Sequence, residues 1–264
     1  MYNNKTQERG DIMLGEKIAL KNLTDELGEI YIDDNKIICL VDENKIKDKK
    51  NIIFNKFDNK KRRIIKRYNL NNKEIIYLIK GIVFNNNISI QSLNGATIYI
   101  SDSTFNKSFS VNVEGNVNID NIIFNTGSLC DITADNINIS NVVVKRNTRQ
   151  ESILLGIYAR NNLNVNNSTF GYSFEKLHIM LKANNEMLLD NVIIDSEKTK
   201  IEAGKLISLD NCNYISKNNI IINSSLYDIS NICSKEVIFN GIKYNGDTSY
   251  IFSNNSDNFE MKRK

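Results

Sequence analysis

One eight-residue phrase recurs along this chain, and it restricts the fold more than any other feature of the sequence. It reads VNIDNIIF from Val117 and INISNVVV from Ile137. Apolar and polar residues alternate within each copy, and a period of two indicates β-strand rather than helix. Copies begin at Tyr77, Ile98, Val117, Ile137, Leu163, Met187, Ile207 and Val237, with a degenerate copy at Ile220.

The steps between the clear copies are 21, 19, 20, 26, 24, 20 and 30 residues, which indicates a short coil with insertions. No helical period separates the copies. A coil of this length cannot bury its apolar face alone, so several coils must stack on one another. The sequence therefore predicts an all-β fold, a single-stranded parallel β-helix with coils of about 20 residues, over residues 72–247.

The fifth residue of each copy belongs to the small set that tolerates a left-handed backbone. A sharp bend between two strands requires such a residue, and stacked Asn side chains are expected to hydrogen-bond along the column. Asn accounts for 44 of the 264 residues, and proline is absent. An AT-rich genome explains that abundance but not the register. The predicted turn ladder is Gly81, Asp102, Asn121, Asn141, Asn167, Asn191, Asn211 and Gly241.

The residues on either side of the bend form two further columns. The inward column after the bend is predicted to be Phe84, Phe105, Phe124, Val144, Phe170, Ile194, Tyr214 and Tyr244. The outward column is predicted to be Val83, Thr104, Ile123, Val143, Thr169, Ile193, Asn213 and Lys243. Its apolar members are consistent either with a contact surface for other chains or with the ordinary preference of sheets for β-branched residues.

This pattern resembles the right-handed parallel β-helix of the pectin-lyase-like superfamily, which includes phage tailspikes. Stacked Asn residues occupy the short turn between the second and third sheets of that fold. The resemblance covers residues 72–247 and implies an architecture. It implies little about function, because the superfamily contains enzymes, adhesins and structural parts of phage tails.

The two ends of the chain differ from the repeat. Residues 1–71 are expected to form a small α+β cap or attachment segment, with a helix over residues 16–27 that stops at Gly28 and a hairpin over residues 29–41. Such a segment protects the open edge of a solenoid or attaches it to a larger assembly. The polar residues 248–264 are expected to fray or to act as a simple end cap.

Composition limits the other classes of function. The net charge is +3, and the basic stretch 45–70 carries no recognised nucleic-acid motif, so a solvated or partner-facing surface is the preferred interpretation over nucleic-acid binding. No apolar run is long enough for a membrane span, and the N-terminus lacks the apolar region of a classical secretory signal. The four cysteines form no CxxC pair and only one histidine is present, so buried free thiols are expected, with no metal and no cofactor.

The hypotheses about chemistry depend on a few polar residues. Asp190 and Asp210 occupy equivalent places on neighbouring coils, at a spacing that suits paired carboxylates or a cation, although solvated turn residues are the simpler interpretation. The longest steps insert residues between 145 and 186, a candidate loop region for glycan contact. The candidate glycan-contact residues there are Arg146, Arg149, Glu151, Tyr172 and Glu175. No catalytic constellation of the superfamily maps onto numbered positions, so no catalytic residue is predicted, and His178 is interpreted as a strand residue.

The resemblance and these features favour a non-enzymatic structural or receptor-binding component of a phage tail or phage-tail-like particle. It would be a virion protein assembled in the bacterial cytoplasm. Its expected partners are other tail proteins through the N-terminal segment and further copies of itself in a trimer, with a surface polysaccharide as a further candidate ligand. The alternatives are a β-helix polysaccharide lyase or hydrolase and a cell-surface adhesin.

Overall fold

The computed structural model describes residues 28–32, 36–54, 74–92, 95–125, 129–145, 153–171, 177–210, 212–223, 226–239, 242–245, 250–253 and 260–263. The described residues are nearly all β and form a parallel β-solenoid of about six turns. The predicted all-β parallel β-helix is therefore confirmed. The helix expected over residues 16–27 lies outside the described residues.

The described residues form twenty-two strands and one short helix, which follow each other in sequence. They are β1 (Gly28–Ile32), β2 (Lys36–Val41), α1 (Glu43–Ile46), β3 (Asn51–Phe54), β4 (Glu74–Lys80), β5 (Val83–Phe84), β6 (Ile88–Ser92), β7 (Thr97–Ser101), β8 (Thr104–Phe105), β9 (Phe109–Val113), β10 (Asn116–Phe124), β11 (Leu129–Ala134), β12 (Asn136–Val144), β13 (Ile153–Ala159), β14 (Leu163–Phe170), β15 (Leu177–Ala183), β16 (Glu186–Ala203), β17 (Leu206–Asp210), β18 (Asn213–Asn223), β19 (Leu226–Phe239), β20 (Ile242–Asn245), β21 (Tyr250–Ser253) and β22 (Glu260–Arg263).

Each coil passes through three parallel sheets in turn. In one coil β4 lies in the first sheet, β5 in the second and β6 in the third, and these strands pair in parallel with β7, β8 and β9 of the next coil. Longer strands such as β10 and β12 continue from the first sheet into the second without a break. The coils therefore stack in register, apart from one register shift between Ser196 and Lys198 of β16 and one between Ser216 and Asn219 of β18.

The corner between the first and second sheets is the residue with positive φ. The φ angles are 71° at Gly81, 51° at Asp102, 52° at Asn121, 54° at Asn141, 47° at Asn167 and 52° at Asn191. Side chains also bond along this column: Asn121 Nδ2 donates to Asp102 Oδ1 at 2.7 Å, and Asn191 Nδ2 donates to Asn167 Oδ1 at 2.8 Å. Asn211 and Gly241 of the predicted ladder lie outside the described residues.

Aromatic side chains fill the core directly after this corner. Phe84 stacks on Phe105 with ring centroids 4.7 Å apart, and Phe105 stacks on Phe124 at 5.2 Å. Phe109 of the third sheet tilts against the same rings. All four side chains are buried, and each contributes on the order of 2 kcal/mol by leaving water. The inward column is confirmed from Phe84 to Ile194, where the structure describes its side chains.

The last two predicted copies of the phrase are wrong. Ile238 pairs with Ile221 in the third sheet, so both the copy at Val237 and the degenerate copy at Ile220 are third-sheet strands. The segment after Val237 then turns back as the antiparallel strand β20. The true continuation begins at Tyr227, which pairs with Ile207 after a step of 20 residues. The alternation of apolar and polar residues does not separate the two structures, because strands of a hairpin and strands of a solenoid coil both have a period of two.

Antiparallel strands cover both ends of the solenoid. The predicted hairpin is confirmed, because β1 pairs antiparallel with β2, and β2 then pairs in parallel with β4. The strand β3 pairs in parallel with β6, so the ladder extends N-terminal to residue 72. At the other end β20 and β21 pair antiparallel with β19, and β22 pairs with β21. Such hairpins stop further parallel stacking at the strands that they cover.

Asn121→Ala tests the requirement for a left-handed corner. A Cβ without a compensating polar group disfavours positive φ, so we expect a loss of about 1 to 2 kcal/mol in the free energy of unfolding, measured by urea denaturation. Asn121→Gly removes the same hydrogen bond to Asp102 but keeps positive φ accessible, and it should lose less than the Ala variant. Equal losses in both variants would show that the hydrogen bond, and not the backbone, matters.

Candidate functional site

The two longest insertions both connect a strand of the second sheet to a strand of the third. The connection between the second and third sheets has three residues at 106–108, but eight at 145–152 and six at 171–176. The strands that follow these longer connections, β13 and β15, are direct neighbours in the third sheet. The predicted contact residues Arg146, Arg149, Glu151, Tyr172 and Glu175 lie outside the described residues, so the strands beside them define the candidate site.

The two aspartates of the acidic hypothesis lie on adjacent strands of the first sheet. Asp190 pairs with Asp210 in the register of β16 and β17, and Asp190 is exposed. Neighbouring strands are about 4.8 Å apart. The same outward column continues through Asn166 and Ser140 to Asp120. There Ser140 Oγ donates to Asp120 Oδ1 at 2.5 Å, so this column also serves as a polar ladder between coils.

The outer face of the third sheet has a glycine at its centre. Gly156 of β13 lies between Asp131 of β11 and Met180 of β15 in the parallel register. Leu154 and Tyr158 lie two residues before and after Gly156 on the same strand, and therefore on the same face. The missing side chain leaves a shallow notch lined by Asp131, Leu154, Tyr158 and Met180, which we call the Gly156 notch.

The carboxylate of Asp131 lies over the floor of this notch. A Cβ at Gly156 would stand 3.1 Å from Asp131 Oδ1, so even alanine would require the carboxylate to shift. Within the described part of the chain, no hydrogen bond or ion pair is made to the Asp131 carboxylate. Burial raises the pKa of Asp131 above its usual value, because its apolar surroundings disfavour the charged form.

Charged neighbours on this face are mostly paired with one another. His178 Nε2 and Glu197 Oε2 are 3.2 Å apart, and Lys200 Nζ lies 2.8 Å from Glu202 Oε1. His178 is thus a strand residue of β15, as predicted. The Nζ of Lys182 lies 5.4 Å from the ring centre of Tyr158, whose hydroxyl donates to Asn184 Oδ1 at 3.3 Å.

Arg160 has a structural position beside the same sheet. Its Nη1 donates to the carbonyl of Val113 at 2.9 Å and to Asp135 Oδ1 at 3.0 Å, and its Nη2 donates to Asn112 Oδ1 at 3.2 Å. These acceptors belong to the two preceding coils. A planar guanidinium suits several oxygens at once, so Arg160 ties three successive coils together and is already occupied.

The metal-ligating and thiol side chains of the described residues are few and dispersed. Within them, no group of three or more His, Cys, Asp or Glu side chains could hold a metal ion. Cys39, Cys130 and Cys212 are buried and lie outside any disulfide, and burial raises the pKa of Cys130. None of the helices in the described ranges is long and apolar enough to cross a membrane.

Comparisons of the chain with protein-family models, with curated proteins and with solved structures found no significant match. Its function therefore has to be inferred from the architecture and from the side chains that the coils present to solvent.

The sequence interpretation missed Asp131 and the Gly156 notch. It aligned the coils by the phrase that spans the first two sheets, which has an Asn marker at its centre. The third-sheet segments LCDITA, ILLGIYA and LHIMLKA share only an alternation that ends in Ala. Aligning these segments by their last residue, Ala134, Ala159 and Ala183, places Asp131, Gly156 and Met180 in one column.

Asp131→Asn tests whether the ionised Asp131 carboxylate destabilises the fold. The folded chain holds the Asp131 proton more tightly than the unfolded chain, whose carboxyl has a pKa near 3.8. The ionised group therefore destabilises the fold at neutral pH, and this penalty disappears as the pH falls through the raised pKa toward 3.8. We expect Asp131→Asn to unfold at a higher urea concentration than the wild type at pH 7. The difference between the two midpoints should narrow as the pH falls.

The matched control is Glu114→Gln, which removes an exposed carboxylate from a turn. It should change the midpoint little at either pH. A destabilised Asp131→Asn variant at pH 7 would contradict the expectation and would indicate a favourable partner for the carboxylate.

Proposed function

We propose that this chain is a structural or receptor-binding component of a phage tail or phage-tail-like particle, and that its outer faces bind neighbouring particle proteins. One observation carries the proposal. The second sheet presents a straight row of β-branched side chains to solvent, of which Val83 is 49% exposed and Ile193 is 42% exposed. We call it the outer row: Val83, Thr104, Ile123, Val143, Thr169 and Ile193.

The geometry of the outer row favours a protein contact. Its six members stack at the strand spacing over about 24 Å. Single exposed apolar side chains are normal on a protein surface, but a contiguous row is more typical of a contact surface. Val, Ile and Thr have restricted χ1 angles, so little side-chain entropy is lost when a partner covers them.

The architecture supports placing that contact in a tail particle. The repeat resembles the right-handed, pectin-lyase-like β-helices to which tailspikes belong, and we propose membership of that superfamily for this chain. Its short, regular coils form a rod with hairpins at both ends, which suits a rigid structural part. Residues 1–71 would serve as the attachment segment, and the localisation would be the assembled particle.

Mass spectrometry of particles tests this assignment. Tail or tail-like particles purified from the source bacterium should contain this chain in a fixed ratio to the major tail proteins across density-gradient fractions. A particle carrying Val143→Asn and Ile193→Asn should retain less of the chain, because two polar side chains interrupt the outer row. Lys107→Asn, an exposed turn substitution between sheets, is the control. A chain that stays in the soluble fraction while particles are complete would refute the proposal.

Glycan cleavage is the second candidate function, because Asp190 and Asp210 are register neighbours. Their spacing of about 4.8 Å is near the separation of the two carboxylates in retaining glycosidases. If the chain is an enzyme, incubation with bacterial surface glycans should release reducing ends, and Asp190→Asn or Asp210→Asn should abolish the release. Activity that survives both substitutions would exclude this pair, and no release from any glycan would favour the structural assignment.

A further inference from the structure

We propose that the Gly156 notch binds an arginine side chain of a partner protein, with Asp131 as the carboxylate that receives the guanidinium. The partner is a neighbouring particle protein, so this inference rests on the proposed function. It adds a second contact surface, on the third sheet, and it states the chemistry that the partner must present there.

The parallel register gives the notch its shape. Gly156 is the floor, with Asp131 one strand away on one side and Met180 one strand away on the other. Leu154 and Tyr158 close the two ends along β13. The notch is therefore a depression one residue wide in an otherwise continuous surface of side chains.

Among the residues that the structure describes, the charge of the notch is uncompensated. The Asp131 carboxylate is half-buried, and within the described ranges no cation or donor contacts it. Three cations on this side of the solenoid have other contacts: Lys200 pairs with Glu202, Lys182 lies over the Tyr158 ring, and Arg160 donates to Asp135 and Asn112. An unpaired, partly desolvated carboxylate destabilises the fold, and a docked cation would remove that penalty. The free chain thus carries a charge that a partner can complement.

The walls of the notch suit a side chain with a long apolar stem. Leu154 is 48% exposed and Met180 is 38% exposed, so both present apolar surface beside the carboxylate. Arginine has three methylene groups that pack on such surface while the guanidinium reaches a carboxylate. Its planar head also forms two parallel hydrogen bonds with one carboxylate, which a lysine ammonium cannot do. Buried arginines are enriched among the residues that dominate binding at protein interfaces.

Other occupants fit the same residues less well. A divalent cation requires several oxygen ligands, and the notch offers one carboxylate. A neutral glycan would leave the Asp131 charge uncompensated. Positive charge joined to an apolar stem is what matches both the carboxylate and its apolar walls.

Butylguanidinium, a model of the arginine side chain, is the probe for the test. The full chain is labelled with ¹³C at the methionine methyl groups, of which there are five, and the Met180 signal is assigned with Met180→Leu. We expect a saturable shift of the Met180 methyl with a Kd on the order of millimolar, since the probe has few atoms. Asp131→Asn should weaken binding by about tenfold or more, while Glu114→Gln should leave it unchanged.

Two matched probes and one matched variant sharpen the result. Butylurea has the same shape without the charge and should give no saturable shift, and butylammonium should bind more weakly than butylguanidinium. Gly156→Ala keeps the charge but displaces the carboxylate, and it should also weaken binding. Because Asp131→Asn is expected to stabilise the fold, its loss of binding would not reflect unfolding, which circular dichroism checks.

Several outcomes would overturn the proposal. They are no saturable Met180 shift with butylguanidinium, an equal shift in Asp131→Asn, or equal binding of butylammonium. Self-association of the wild type that Asp131→Asn abolishes would assign the notch to a second copy of this chain and overturn a distinct partner. The titration requires no particle, so its failure would leave the particle assignment standing, whereas absence from particles would leave the binding of the probe unaffected.

Discussion

The left-handed corner is the constraint on which the rest of this solenoid depends. One residue with positive φ turns the chain from the first sheet into the second without any loop, at Asp102, Asn121 and Asn141 among others. A corner of fixed length holds the strands before and after it in one register from coil to coil. Because side chains alternate along a strand, that register sends the same positions inward in every coil. The continuous Phe84–Phe105–Phe124 stack is a direct consequence.

The same constraint decides where the chain can vary. A corner that depends on a single residue cannot accept an insertion without shifting every side chain after it to the opposite face. The connection between the second and third sheets has no such requirement, and it grows from three residues at 106–108 to eight at 145–152. Variation in length is therefore concentrated in the connections that precede the strands of the third sheet. The outer face of that sheet carries the Gly156 notch, whereas the outer row lies on the second sheet beside the invariant corner.

These physical differences explain how far the sequence predicts the structure. The corner and the core can be predicted from the sequence because two independent signals coincide there. They are the alternation of apolar and polar residues with a period of two, and a residue type that tolerates positive φ. The copy at Val237 had the first signal and a Gly at the expected place, but its strand pairs in the third sheet and continues into an antiparallel hairpin. Asp131 was not predicted at all. Its raised pKa depends on burial by surroundings that include Gly156 of the next coil, twenty-five positions away, and no local pattern reports that contact.

A solenoid tolerates an unfavourable carboxylate such as Asp131 because its free energy of unfolding is approximately a sum of terms for single coils and for the contacts between neighbouring coils. The penalty of one desolvated charge stays local, while the corners and the aromatic stack hold the coils on both sides. Arg160 shows the opposite use of charge on the same part of the chain: it contacts Asp135 and two further oxygens, and so ties three coils together. Arg160 is satisfied within the fold, whereas the Asp131 carboxylate has no hydrogen bond or ion pair among the described residues. A side chain that costs stability without such a partner is the kind of residue that binding to another protein explains best.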